Sequence, residues 1–124
     1  MTKNNLNPHP LIQKGTHIII DISNIENNEI LKFQSSITTI LDKIIDKYNL
    51  TVVNKALHQF EPYGFTGVYV LSESHLSIHT FVDERKVAMD LYTCKTFNDT
   101  NSIIDFIKSL FEYKCDINYT VIER

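Results

Sequence analysis

The run Glu73-Ser74-His75-Leu76-Ser77-Ile78-His79-Thr80 gathers an acid, a hydroxyl nucleophile and two imidazoles within eight residues, and Cys94 follows in the same half of the chain. An alternating strand needs only something polar on its solvated side. This one takes Ser, His, Ser and His, the types used for nucleophilic and acid–base chemistry. The peptide between Glu73 and Ser74 is open to one reaction in particular. A serine hydroxyl can attack the carbonyl that precedes it and turn the amide into an ester, given a distorted peptide, a base and a stabilised oxyanion. β-Elimination then frees the upstream chain and leaves dehydroalanine, which hydrolyses to a pyruvoyl group. That ketone forms a Schiff base with an amine and draws electrons from its α-carbon, as pyridoxal phosphate does. Taken singly, each residue also has a plainer reading: Ser74 as a strand-edge serine, His79 as a strand histidine satisfied by a neighbour. His75 and His79 can be read as two metal ligands on one strand face, but no third ligand is indicated, and no metal site is expected.

Positioning such a segment requires a sheet. Thr16–Asp21 is a short β-branched apolar run, read as a buried strand. From Ile30 to Tyr48 apolar residues recur at helical spacing, which predicts one amphipathic helix of about 20 residues. Leu50–Phe60 reads as a strand, Glu61-Pro62-Tyr63-Gly64 as a turn, and Thr66–Leu71 as a strand. Leu76, Ile78 and Thr80 alternate against His75, Ser77 and His79 in the next one. Val87–Tyr92 follows as a strand. Asp99 or Thr100 can cap a second helix with the stripe Ile103, Ile104, Ile107, Leu110 and Phe111. Ile117, Tyr119 and Val121 alternate as a final strand. The order β-α-β-β-β-β-α-β predicts an α+β fold, a two-layer sandwich with a mostly antiparallel sheet and two helices on one face. The bare face then calls for a cover, and dimerisation is the simplest one.

Composition narrows the partners. The chain has 124 residues, 43% hydrophobic and 22% charged, which suits a single globular domain, 1–124. Three Gly and three Pro leave no room for a linker. A net charge of -3 gives no electrostatic case for nucleic acid or an anionic membrane. No apolar run nears the ~20 residues of a membrane span. Met1–Pro10 is polar, lacks the apolar stretch of an export signal and reads as a frayed leader, so a reducing cytoplasm is the expected location. Cys94 and Cys115 do not make a disulfide framework; Cys115 fits an inert core thiol.

The segment resembles the self-cleavage site of the prokaryotic pyruvoyl-dependent S-adenosylmethionine decarboxylases, Glu-Ser-His-x-Ser-Ile-His-Thr. The likeness runs outward. Phe60-Glu61-Pro62-Tyr63-Gly64-Phe65-Thr66-Gly67-Val68 is similar to the family's Phe-x-Pro-x-Gly-x-Ser-Gly-Val, and Asp90-Leu91-Tyr92-Thr93-Cys94 to its Asp-x-x-Thr-Cys. Several motifs in order are far more specific than one. The resemblance implies cleavage between Glu73 and Ser74 into fragments 1–73 and 74–124, with a covalent pyruvoyl cofactor formed from Ser74. It assigns acid–base work in processing to His79 and proton donation to the substrate carbon to Cys94. Thr66, standing where the family has serine, keeps a hydroxyl that supports processing. It also implies a homodimer of processed protomers with sites near the interface.

The resemblance weakens where the segment ends. The family continues with Trp-Pro-Glu, its tryptophan stacking on adenine and its glutamate bonding the ribose hydroxyls. This chain has Phe81-Val82-Asp83, and Lys95 replaces the glycine after the cysteine. Phe60 and Phe81 can still stack, and Asp83 keeps a carboxylate on a stem one methylene shorter. S-adenosylmethionine is therefore the expected substrate, within polyamine synthesis. Ornithine or arginine is the alternative, and a non-enzymatic regulatory paralogue a further one.

Overall fold

The computed structural model describes residues 15–94 and 99–124; the leader Met1–Pro10 and Lys95 lie outside them. Six strands form one antiparallel sheet: β1 (Thr16–Ser23), β2 (Val52–Gln59), β3 (Phe65–Leu71), β4 (Ser74–Phe81), β5 (Lys86–Thr93) and β6 (Asp116–Glu123). With helices α1 (Gln34–Lys47) and α2 (Thr100–Leu110) they give the α+β sandwich and the element order read from the sequence. Across the sheet the order is β2-β3-β4-β5-β1-β6, so the first strand lies between the fifth and the last.

Period-two alternation sorts the strands into two faces. Ile18, Ile20 and Ile22, Phe65, Tyr69 and Leu71, Leu76 and Ile78, and Met89 and Leu91 are buried on one face. They pack with Ile37, Ile40, Leu41 and Ile44 of α1 and Ile103, Ile104 and Ile107 of α2 in a single core. Each such side chain contributes roughly 1.5–3 kcal/mol on burial. Tyr69 is fully buried because its hydroxyl donates to Asp42 Oδ1 at 2.7 Å. The second face carries His17 and Ile19, His75, Ser77 and His79, Val70, and Asp90 and Tyr92, placed there by the register of β1, β3, β4 and β5. Ile19, Val70, Phe81 and Ile122 on this side remain exposed.

The long helix expected from Ile30 is broken. A single 3-10 turn covers Asn28–Leu31, Phe33 is extended at φ -126° and ψ 150°, and α1 begins only at Gln34. The cause is tertiary. The Lys32 carbonyl accepts from Gly64 N at 2.8 Å and from Gln59 Nε2 at 2.9 Å, so it is drawn away from the helix ladder. The same Gln59 side chain accepts from Gln34 N at 2.6 Å and caps the new helix start. At α2 the capping expectation is met by Asp99, which accepts from Ser102 N at 3.3 Å.

Candidate active site

β3 and β4 are joined by only two residues, Ser72 and Glu73, with Leu71 opposite Ser74. Such tight hairpins require positive φ at the turn. Here Glu73 supplies it at 57°. The left-handed region costs a residue with a side chain about 1–2 kcal/mol, so the peptide ahead of Ser74 starts from an unfavoured backbone. β5 ends alongside this turn, with Tyr92 opposite His75. Cys94 therefore emerges beside it, its thiol donating to the Glu73 carbonyl oxygen at 3.6 Å. That carbonyl is the one a Ser74 hydroxyl would attack. A cavity of about 350 Å³ opens here, lined by Leu50, Thr51, Leu71, Ser74, Thr93 and Cys94. Cys94 is half-buried, whereas Cys115 is buried in the core, where desolvation pushes its thiol up.

The other residues singled out from the sequence collect at the far end of β4. His79 is exposed, with Thr66 Oγ1 3.3 Å from its Nδ1 across the β3–β4 ladder. Phe60, Tyr63, Thr66, His79, Phe81 and Asp83 all line a second cavity, of about 380 Å³. Phe60 is flanked by His58, ring centroids 4.5 Å apart, and the Lys86 ammonium lies 5.1 Å from the Phe81 centroid. Asp83 Oδ1 accepts from the Tyr63 hydroxyl at 2.7 Å. The fold thus assembles two groups, Glu73/Ser74/Cys94 and Phe60/Thr66/His79/Phe81/Asp83, and does not bring them together within one chain. Ser74 points to the helix side with Leu76 and Ile78, while His79 lies on the opposite face. Five positions along a strand separate them by about 17 Å.

One cluster escaped the sequence. His17 and His75 each place Nε2 2.7 Å from the same oxygen, Asp90 Oδ2, and Ser77 donates to Asp90 Oδ1. Burial pushes the Asp90 carboxyl up, but hydrogen bonds from Ser77, His75 and His17 outweigh it and hold it below its ordinary value. Arg124 Nη1 approaches His17 Nδ1 at 3.4 Å, which leaves the His17 proton on the nitrogen facing Asp90. The possible metal pair was His75 with His79; the structure instead groups His75 with His17 and Asp90, ligand-type atoms within 4.8 Å of one another. As arranged here they are donors and acceptor of a hydrogen-bonded network. Strand parity was the usable signal: 90 shares a face with 88 and 92, and a carboxylate amid the apolar positions of β5 needs partners.

Comparison with known proteins agrees with this architecture. A family model described as S-adenosylmethionine decarboxylase matches residues 16–124. The S-adenosylmethionine decarboxylase proenzyme of Thermodesulfovibrio yellowstonii is 38% identical over 100 residues, covering 81% of this chain and 73% of that protein. The proenzyme of the same name from Archaeoglobus fulgidus is 34% identical over 98 residues, covering 79% of this chain and 84% of its own. Among solved structures, the adenosylmethionine decarboxylase from Aquifex aeolicus VF5 superposes with a TM-score of 0.79 at 29% identity, covering 90% of this chain and 91% of that one. The fold and these relatives define an enzyme of the decarboxylase class. The chain belongs to the S-adenosylmethionine decarboxylase family.

Proposed function

We propose that the chain cleaves itself between Glu73 and Ser74, carries the resulting pyruvoyl group as its cofactor and decarboxylates S-adenosylmethionine. The observation that carries this is the turn: a left-handed Glu73, with its carbonyl oxygen hydrogen-bonded to Cys94 beside the Ser74 cavity. In the first step the Ser74 oxygen bonds to the Glu73 carbonyl carbon, the C–N bond breaks and a proton moves to the Ser74 nitrogen. The Cys94 thiol is placed to stabilise the oxyanion of that addition. Loss of the Ser74 α-proton then expels the Glu73 carboxylate, and water converts the dehydroalanine to the ketone with release of ammonia.

The pyruvoyl group supplies an electron sink for the carbon that loses carbon dioxide. The chain's own groups do the rest. Cys94 opens onto the same cavity as Ser74 and donates a proton to the substrate carbon. Phe60 and Phe81 offer aromatic faces and Asp83 a carboxylate, which suit an adenine and a ribose. The names of the relatives favour S-adenosylmethionine over a basic amino acid. His79, paired with Thr66, is the acid–base group of processing.

Because His79 cannot reach Ser74 in its own chain, a second copy supplies it. The exposed sheet face carrying Ile19, Val70, Phe81 and Ile122 is the surface offered to that copy. Intact-mass measurement tests the first step: the purified protein resolves into two fragments divided at Glu73/Ser74, the second with a pyruvoyl end. Ser74→Ala stays at full length with an unchanged circular-dichroism spectrum. Carbon dioxide release from S-adenosylmethionine, ornithine and arginine then tests the substrate; turnover of an amino acid but not of S-adenosylmethionine would overturn the assignment.

A further inference from the structure

Asp83 is exposed on the turn after β4, and its shorter stem leaves it no packing to set its direction. It is nonetheless held. Tyr63 Oη donates to Oδ1 at 2.7 Å, and among the described residues nothing occupies Oδ2. Tyr63 is itself fixed. The Lys32 ammonium lies 5.1 Å from its ring centroid, and Lys32 pairs with Glu29 Oε2 at 2.8 Å. The Lys32 backbone is pinned by the Gly64 and Gln59 bonds that interrupt the helix ahead of α1. The hydrogen bond to Asp83 also pushes the Tyr63 phenol above its ordinary range, so it remains a donor at neutral pH.

We propose that Tyr63 is a positioning residue: it fixes one oxygen of Asp83 and aims the other at the vicinal diol of a ribonucleoside held at Phe60 and Phe81. The inference rests on the reading of this cavity given above and adds its selectivity. A glutamate can reach a diol by extension alone. An aspartate one methylene shorter needs its second torsion set in advance, which a 2.7 Å bond from a rigid phenol does. Recognition of the diol then depends on a tyrosine that acts through Asp83.

The test uses the processed protein and two uncharged probes, 5′-methylthioadenosine and its 2′-deoxy analogue, with dissociation constants from calorimetry. Tyr63→Phe keeps the ring under Lys32 and removes only the donor. It is expected to weaken 5′-methylthioadenosine about five- to tenfold, while the 2′-deoxy analogue changes less than about twofold. The KM for S-adenosylmethionine rises by a similar factor with kcat nearly constant. Asp83→Asn gives the same selective loss, and the double variant adds nothing to it. Equal weakening of both probes, or none, overturns the proposal, and so does wild-type protein that binds neither probe. Cleaved wild-type protein that binds 5′-methylthioadenosine selectively but does not decarboxylate S-adenosylmethionine refutes the proposed reaction and leaves the role of Tyr63 standing.

Discussion

Two chains that are each inactive should rescue one another. Ser74→Ala lacks the nucleophile and His79→Ala lacks the imidazole. General acid–base catalysis needs about 3 Å between heavy atoms. Ser74 and His79 stand on opposite faces of β4 and about 17 Å apart along it, a gap no side-chain rotamer closes. If the second copy of a dimer provides His79, a mixed dimer has one doubly defective site and one fully native site. With equal co-expression half the dimers are mixed, so about a quarter of all sites are native. Removing a general base costs about 10²–10⁴ in rate, so each parent alone gives at most about 1% of wild type and the rescue stands far above it. The assay is carbon dioxide release from carboxyl-labelled S-adenosylmethionine, with differently tagged chains so that native mass spectrometry confirms mixing. Electrophoresis gives an independent count, since about a quarter of all chains, every one a His79→Ala chain, should be split. Confirmed mixed dimers with neither cleavage nor activity would refute the shared site. Undiminished cleavage of native protein diluted to monomer would refute it equally.

Cys94→Ala should slow cleavage and lower kcat about tenfold or more with KM within about threefold; a near-normal kcat removes Cys94 from proton donation. Asp90→Asn should destabilise the protein near neutral pH, because the folded carboxyl titrates below its ordinary 3.8. The stability owed to such a lowered group is fully present above that value and is lost as pH falls through the folded value. The difference between variant and wild type in urea denaturation should therefore shrink as pH falls below about 4; a difference that keeps growing below that pH contradicts the network. Ile20→Ala removes a fully buried side chain between Met89 and Tyr119. It should cost about 2–5 kcal/mol, read by denaturant unfolding in the uncleavable Ser74→Ala background; a loss under about 1 kcal/mol would place Ile20 outside the packed core.

Short-range periodicity made the fold legible. Alternation in β3, β4 and β5 and the stripe of α2 depend on one exposed and one buried side, and residues alone report that. The start of α1 did not follow from pattern, because Ile30, Leu31 and Phe33 fit a helical stripe while the Lys32 carbonyl is claimed by Gly64 and Gln59, 27 to 32 positions away. The site divides in the same way. Ser74, His79 and Cys94 stand out by residue type. The joining of His17 to Asp90, 73 positions apart, depends on β1 entering the sheet beside β5. The separation of Ser74 from His79 was implicit in strand parity and spacing, yet a compact motif suggests proximity and conceals it.

The strand order carries a consequence for how the molecule is made and lost. A break after Glu73 leaves β1, α1, β2 and β3 on one piece and β4, β5, α2 and β6 on the other. Yet β3 pairs with β4, and β1 is inserted between β5 and β6. The two pieces are threaded through each other along three seams of backbone hydrogen bonds, so neither can detach without dismantling the sheet. While the chain is whole, closing those seams is unimolecular, and the connecting turn keeps the partners at high effective concentration. Once that turn is cut, unfolded halves must find each other in solution. Refolding that is unimolecular in the whole chain would become dilution-dependent after such a break, and a cleaved protein would persist by the slowness of its unfolding.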